Sequence, residues 1–442
     1  MGKRLFLAAL FVYSVCPPFT SLDSYWTVPT ALSLIRHGST AVDDYVAAAP
    51  PTARLTLECV PAEGPAFRYQ SGAGCPGGHW YNFFPTGVAV LALPLVLAMK
   101  LAAGLFAAVF PGAAGMVSQP AIAAFLAGDL FGGHVLVELW CAAMFGAIAV
   151  WLQYRIARRF LTERAALGLA VLFALGTSEW SVASRNLYQQ GLTALLLSVA
   201  LWLALRARED AEWIRFASVP LALAFTVRPS NAIAVALFTI YVAVHYRAWL
   251  WRYVLWAMPV AAPFLAYNLL VRHGLLQSYY LAAPGRYAIW QGLAMHLASP
   301  SRGLFIFTPV FLFSLAGMAL AWRSRWCFPL APYLMAILLL HTALIASVWE
   351  GHGFGPRYFA DVGPLFTFFL IPAFRHWETM RGAPRRIAAA IFLLLAAWGV
   401  FVHGRGATST AVQYWNVTPA GVDAKARVWD WSDPQFLRGL LR

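Results

Sequence analysis

The sequence predicts an all-α polytopic membrane protein, and two observations carry that prediction. Of its 442 residues, 61% are hydrophobic and only 11% are charged, whereas soluble domains carry about 25% charged residues. The apolar residues form long runs, and arginines lie in the short turns between them, a pattern typical of membrane helices and their cytoplasmic turns. Because this pattern also accounts for the net charge of +14, we expect no nucleic-acid partner. We predict one transmembrane domain over residues 1–442.

The first predicted span is the apolar run from Leu5 to Phe19. Lys3 and Arg4 precede it, so the N-terminus is expected in the cytoplasm. The run has the length of a signal peptide, but Pro17 and the proline after it stand where a cleavage site would need small residues. We therefore predict a retained membrane anchor.

The segment from Leu22 to Gly38 follows this span directly. Thr27 can cap a helix there, Pro29 fits its first turn and Gly38 can end it, with the apolar residues on one face. This pattern predicts an interfacial helix. Asp23 stands where the first span leaves the membrane, a costly place that usually indicates a function. The alternative is that Asp23 only marks a helix end among lipid headgroups.

Residues 20–133 are predicted to form a first outer loop with juxtamembrane helices. Cys59 and Cys75 lie in its Pro/Gly-rich part, and we hypothesise that they form a disulfide. Two free thiols are the alternative if this loop faces a reducing space. The apolar stretch 83–132 is either a surface or re-entrant segment or a hairpin that crosses the membrane twice.

Beyond residue 133 the apolar runs alternate regularly with arginine-rich turns. Ten spans are predicted there, at residues 134–153, 165–180, 190–206, 213–229, 231–246, 252–271, 303–321, 328–348, 363–376 and 387–402. Together with the first span they make about eleven, or thirteen if 83–132 is a hairpin. With the arginine-rich turns in the cytoplasm, the C-terminal tail 403–442 lies on the outer face.

This topology gathers polar residues on the outer face. The richest cluster is the run from Trp349 to Asp361, whose glycines leave the backbone open to a ligand. Several arginines on this face contradict the inside bias unless they bind something anionic. A single arginine can simply reach lipid headgroups, but the set is better explained by a bound phosphate. No metal-binding spacing is present, and we expect His352 and Glu350 to pair with Arg357 rather than hold an ion.

Several short motifs resemble the GT-C class of membrane glycosyltransferases, which includes the lipid-linked aminoarabinose transferases and the protein O-mannosyltransferases. The motifs are D-S-Y-W from Asp23, H-W-Y-N-F-F-P-T-G from His79, S-P-S-R-G-L-F-I-F-T-P and G-P-R-Y-F-A-D-V-G-P. Two positions depart from the pattern. Ser24 stands where those families commonly have Glu, and His79 stands where many have Lys.

The resemblance implies a GT-C-like bundle that transfers a sugar from a polyprenyl-phosphate carrier to a lipid, glycan or protein acceptor. Asp23 is then the general base of an inverting single displacement. The candidates for binding the donor phosphate are Arg357, Arg302, Arg228, Arg185 and His79. The candidates for binding sugar or acceptor are Tyr25, Trp26, Tyr188, Glu350, His352, Tyr358 and Asp361.

The resemblance also sets the expected location and partners. We expect an integral protein of the bacterial inner membrane whose active site faces the periplasm, in contact with membrane lipids. No cofactor is expected besides the lipid-linked donor, and a divalent metal is not indicated. The alternatives are a polytopic transporter and a flippase or polymerase of lipid-linked glycans, which would not use this chemistry.

Overall fold

A computed structural model describes residues 1–19, 21–72, 74–281, 287–349, 351–422 and 425–440. The α-helices in these ranges are α1 (Gly2–Ser14), α2 (Thr27–His37), α3 (Asp43–Val46), α4 (Pro51–Arg54), α5 (Gly87–Val109), α6 (Pro120–Leu126), α7 (His134–Ala157), α8 (Glu163–Leu175), α9 (Gln189–Ala207), α10 (Ser218–Val227), α11 (Ala232–His245), α12 (Leu250–Val271), α13 (Ser278–Leu281), α14 (Ile289–Ala298), α15 (Leu304–Phe307), α16 (Leu312–Ser324), α17 (Leu330–Ile345), α18 (Gly363–Thr379), α19 (Gly382–Thr408) and α20 (Thr410–Tyr414). The strands are β1 (Leu57–Val60), β2 (Phe67–Arg68) and β3 (His79–Asn82).

The helices confirm the predicted all-α polytopic membrane fold. Each of the eleven predicted spans contains a helix. Five helical segments are long and apolar enough to cross a bilayer unaided, namely Gly87–Val109, His134–Ala157, Gln189–Ala207, Arg247–Val271 and Gly382–Thr408. Shorter apolar helices pack beside them and against one another.

Helices α1 and α7 run antiparallel, so their contacts identify the end of the bundle that carries Asp23. At one end a Cβ on Gly2 would lie 3.2 Å from Nε1 of Trp151. At the other end, the Tyr25 ring lies 4.7 Å from the ring of His134, the first residue of α7. We call this second end, which carries Asp23, the site face.

Helix α5 contacts the site-face end of the bundle in two places. Its first residue, Gly87, packs on the backbone of Thr226 at the end of α10. Later in α5, Gly104 lies beside Gly128, and the nearby Phe131 contacts Tyr45 of α3. Both parts of α5 are therefore at one end of the bundle, and a surface course for 83–132 with eleven spans stays a prediction.

The first loop also contains a small sheet that the sequence analysis did not predict. Its three antiparallel strands have the order β2-β1-β3, and Cys59 on β1 is joined to Cys75 by a disulfide. Glu58, also on β1, pairs with Arg272 just after α12 and accepts a hydrogen bond from Ser278. The sheet therefore holds the segment that leads from α12 into α13.

Helix α2 differs in two ways from its predicted form. The helix begins at Thr27 after Trp26, without a side-chain cap, so Thr27 is its first residue and not its cap. Thr30 and Ser33 are buried, because α5 and the sheet cover the face that was expected to meet solvent. The end of the helix is as predicted, since Gly38 has a φ of 65°, which glycine adopts at little cost.

Candidate functional site

The centre of the site face is an ion pair between Asp23 and Arg357. Asp23 lies in the turn between α1 and α2, and Arg357 opens a short 3-10 turn before α18. Nη1 of Arg357 donates to Oδ2 of Asp23 at 2.7 Å. The Asp23 side chain is 35% exposed, whereas Arg357 is only 7% exposed. The second carboxylate oxygen, Oδ1, makes no hydrogen bond within the described ranges, so it can accept a proton from a ligand.

Two tyrosines and a glycine shape the pocket around Arg357. Its guanidinium carbon lies 5.5 Å from the ring centre of Tyr188 and 5.3 Å from that of Tyr358, within the range of a cation–π contact. On another side, a Cβ at Gly353 would lie only 2.7 Å from Cδ of Arg357. A larger residue than glycine at 353 would therefore displace the arginine.

A second buried pair, between Arg228 and Asp361, lies beside the first. Nη1 of Arg228 is 3.1 Å from Oδ1 and 3.0 Å from Oδ2 of Asp361. The Arg228 guanidinium also lies 4.6 Å from the centre of the Tyr358 ring. Tyr358 therefore contacts both cations, and its carbonyl accepts a hydrogen bond from Nε2 of His341 at 2.9 Å.

Tyr279 packs against the aromatic segment that follows His79. Its hydroxyl donates to Oε1 of Gln189 at 3.3 Å, and its ring lies 5.4 Å from Phe83 and 5.3 Å from Phe84. Burial raises the pKa of Tyr279 to about 12, so its hydroxyl stays protonated and remains a donor. The sequence analysis gave this residue no role.

The buried carboxylate of Glu138 accepts a hydrogen bond from the turn that carries Asp23. Oγ of Ser24 donates to Oε2 of Glu138 at 2.5 Å, and Glu138 lies fully buried in the second turn of α7. Sequence reasoning missed this residue, although a glutamate inside an apolar run is itself a signal, because intramembrane carboxylates are rare and usually functional.

Three of the predicted phosphate-binding residues have other partners in this structure. Arg302 is fully buried and donates to Gln435, Asn416 and two backbone carbonyls. Arg185 donates to the carbonyl of Pro17 and lies 5.5 Å from the Phe19 ring. His79 is exposed, and its Nδ1 is 2.9 Å from Oδ2 of Asp43.

Several of the predicted sugar-binding residues lie away from the two ion pairs. The Trp26 side chain is buried and donates from Nε1 to the carbonyl of Ala53 at 2.8 Å. Tyr25 is buried against His134, and His352 is exposed. Glu350 lies outside the described residues. Across the described ranges, no three His, Cys, Asp or Glu side chains come close enough to hold a metal ion.

Comparison with known proteins adds one family match. Residues 118–269 match the family model described as dolichyl-phosphate-mannose-protein mannosyltransferase, about a third of the chain. No curated protein matches the sequence. The matched segment includes Arg185, Tyr188 and Arg228, whereas Asp23 and Arg357 lie outside it. Residues 118–269 thus carry the sequence pattern of the dolichyl-phosphate-mannose-protein mannosyltransferases, a GT-C family, which confirms the predicted resemblance to the GT-C class.

Proposed function

We propose that this protein is a glycosyltransferase that moves a sugar from a polyprenyl-phosphate carrier to an acceptor hydroxyl. The observation that carries the proposal is the Asp23–Arg357 pair, in which a partly exposed carboxylate lies 2.7 Å from a buried cation. Transfer from a lipid phosphate needs both groups within reach of one anomeric carbon, the base on the side of the acceptor and the cation on the side of the phosphate. The carboxylate takes the proton of the acceptor, and the cation stabilises the departing phosphate. The family match supports the reaction class.

The reaction follows from the chemistry of the two groups. The acceptor oxygen attacks the anomeric carbon while its proton passes to Oδ1 of Asp23. The bond between that carbon and the phosphate oxygen breaks, and the electron pair leaves with the polyprenyl phosphate. A single displacement of this kind inverts the anomeric centre, by analogy with inverting glycosidases. The phosphate leaves as a weak base, so no second carboxylate is required as an acid.

Arginine suits the leaving-group side of this reaction. A guanidinium has five N–H donors in a fixed plane, so Arg357 can keep its bond to Asp23 and still bind a phosphate oxygen. Arg228 supplies a second cation, which shares the Tyr358 ring with Arg357. Two cations at one phosphate would stabilise the charge that develops on it as the sugar departs.

The proposed orientation puts the site face on the periplasmic side of a bacterial inner membrane, with the N-terminus in the cytoplasm. Its support is the charge at the opposite end of the bundle. Arg155, Arg158 and Arg159 lie at the end of α7 away from Asp23, where the positive-inside rule expects cytoplasm. The acceptor is then an envelope lipid, glycan or protein.

The test is a transfer assay with purified protein and a panel of labelled polyprenyl-phosphate hexoses, mannose first. Asp23→Asn keeps the size of the side chain but removes the basic oxygen, so transfer should fall by roughly 100-fold or more. Binding of polyprenyl phosphate should change little. Asp44→Asn is the control, since Asp44 also lies in the first loop and pairs with His37 and Arg36 at the surface. Native transfer by the Asp23→Asn protein would place the base elsewhere.

A further inference from the structure

The segment after α19 folds back onto the loop that leads to Arg357. Gln435, which is fully buried, lies at the centre of this contact. Its Oε1 accepts hydrogen bonds from the amide of Gly355 at 3.0 Å and from Nη1 of Arg302 at 2.9 Å. Its Nε2 donates to the carbonyls of Gly353 at 2.8 Å and Val412 at 3.2 Å. One glutamine side chain therefore binds two of the three glycines of the loop, Gly353 and Gly355.

Asn416 makes a parallel set of contacts. Its Oδ1 accepts from the amide of Gly353 at 3.3 Å and from Nη2 of Arg302 at 3.3 Å. The same Nη2 donates to the carbonyl of Gly351 at 2.9 Å. Arg302 thus ties the two amide side chains of the tail to the backbone of the loop.

The residues that the tail holds are the ones that touch Arg357. The carbonyl of Gly355 accepts the backbone N–H of Arg357 at 2.9 Å. Gly353 packs directly on the arginine side chain, where an added Cβ would come within 2.7 Å of its Cδ. Between them, Phe354 packs on Gly406 of α19. Any shift of the loop would move Arg357 relative to Asp23.

The tail is itself held in place by ion pairs and hydrogen bonds, so it can position the loop. Asp433 pairs with Arg427 at 3.3 Å and with Arg438 at 2.5 Å. Its carbonyl accepts the indole N–H of the fully buried Trp415 at 2.7 Å. Trp415 directly precedes Asn416, so these contacts fix the asparagine that reaches the loop.

We propose that Gln435 and Asn416 are positioning residues, which hold the loop 351–355 so that Arg357 points at Asp23 and at the carrier phosphate. The part that concerns the phosphate rests on the proposed function. Neither residue contacts the reacting groups, so their effect must pass through Arg357. A positioning role therefore predicts that the effect of these residues depends on Arg357, whereas a general contribution to folding does not.

The test is a double-mutant cycle on Gln435→Ala and Arg357→Ala, with polyprenyl phosphate as the probe for binding. Gln435→Ala should weaken binding by about tenfold, the scale of one or two lost hydrogen bonds. Combined with Arg357→Ala it should add little, because both changes remove the same interaction. Gln413→Ala is the matched control, since Gln413 lies in the same tail and its side chain donates one long bond, at 3.4 Å, to the carbonyl of Gly406. It should bind normally.

Hydrogen exchange of the loop gives a readout that does not depend on the reaction. Gln435→Ala should speed exchange at the amides of Gly353 and Gly355, and Gln413→Ala should not. Gln435→Glu keeps an acceptor for Gly355 and serves if the alanine variant does not accumulate. Additive losses in the cycle, or native exchange in the Gln435 variant, would overturn the positioning proposal. A native protein that neither binds polyprenyl phosphate nor transfers sugar would overturn the proposed function. The exchange data would then still test whether Gln435 holds the loop 351–355 in place.

Discussion

Arg357 donates to Asp23 across 2.7 Å, although 334 positions separate the two residues in the chain. The pair joins the turn after the first helix to the loop before α18. Arg357 is buried, and Asp23 is partly open to solvent. A ligand that reaches the Asp23 carboxylate therefore also reaches the edge of the Arg357 guanidinium. The base and the cation can then act on the same ligand.

Arg357→Lys tests whether the shape of this cation matters as well as its charge. A lysine ammonium is a point charge and cannot hold Asp23 and a phosphate oxygen in one plane. We expect the KM for the polyprenyl-phosphate donor to rise by about tenfold or more, the scale of a lost charge-assisted hydrogen bond. Steady-state kinetics over a range of donor concentrations measures this. If the lysine variant keeps the native rate at low donor concentration, Arg357 serves only as an anchor to lipid headgroups.

Asp361→Asn tests the second pair. Arg228 is buried against Asp361 at 3.0 Å, and removing one partner of a buried pair costs about 3–5 kcal/mol of stability. We expect a clear fall in the midpoint of thermal unfolding in detergent. The Asp44→Asn protein loses only the surface pairs with His37 and Arg36, and such pairs contribute little, so it should unfold as the native protein does. Equal unfolding of all three proteins would show that Arg228 finds another partner.

The spans could be predicted from the sequence because the length and polarity of an apolar run are local properties. The pairing of Asp23 with Arg357 could not, since nothing local links the end of α1 to a loop more than 300 positions later. The small sheet escaped prediction because its strands are two to four residues long. The role of Arg302, which joins the tail to the loop 351–355, could not be predicted for a third reason. Its partners lie in the tail, which its composition does not distinguish from an unstructured end.

Helix α5 gives a prediction about topology. Because Gly87 and Gly104 both lie at the site face, the turn after α5 should be on the same side of the membrane as Asp23. We expect Gly115→Cys, in a background without the free cysteines Cys16, Cys141 and Cys327, to react with an impermeant maleimide added to spheroplasts. Arg158→Cys, at the far end of α7, should react only after permeabilisation. The reverse pattern at Gly115 would support a hairpin and thirteen spans.

The last prediction concerns the hydrogen bond from Ser24 to Glu138. The two side chains meet at 2.5 Å inside the bundle, and Ser24 is the residue next to Asp23. Ser24→Ala removes the donor and leaves a buried carboxylate without this partner, which costs about 1–3 kcal/mol and frees the turn that carries the base. Because misplacing a catalytic group by about 1 Å can cost about 100-fold in rate, we expect kcat for transfer to fall at least tenfold.

The split between kcat and KM identifies the cause of that loss. The KM for the donor should stay near the native value, since Arg357 and Arg228 do not touch Ser24, and Ser24→Thr should recover most of the rate by restoring the hydroxyl. Glu138→Gln keeps an oxygen that can accept from Ser24 and should be milder than Ser24→Ala. If Ser24→Ala instead raises KM and leaves kcat unchanged, the bond to Glu138 supports donor binding and not the placement of Asp23.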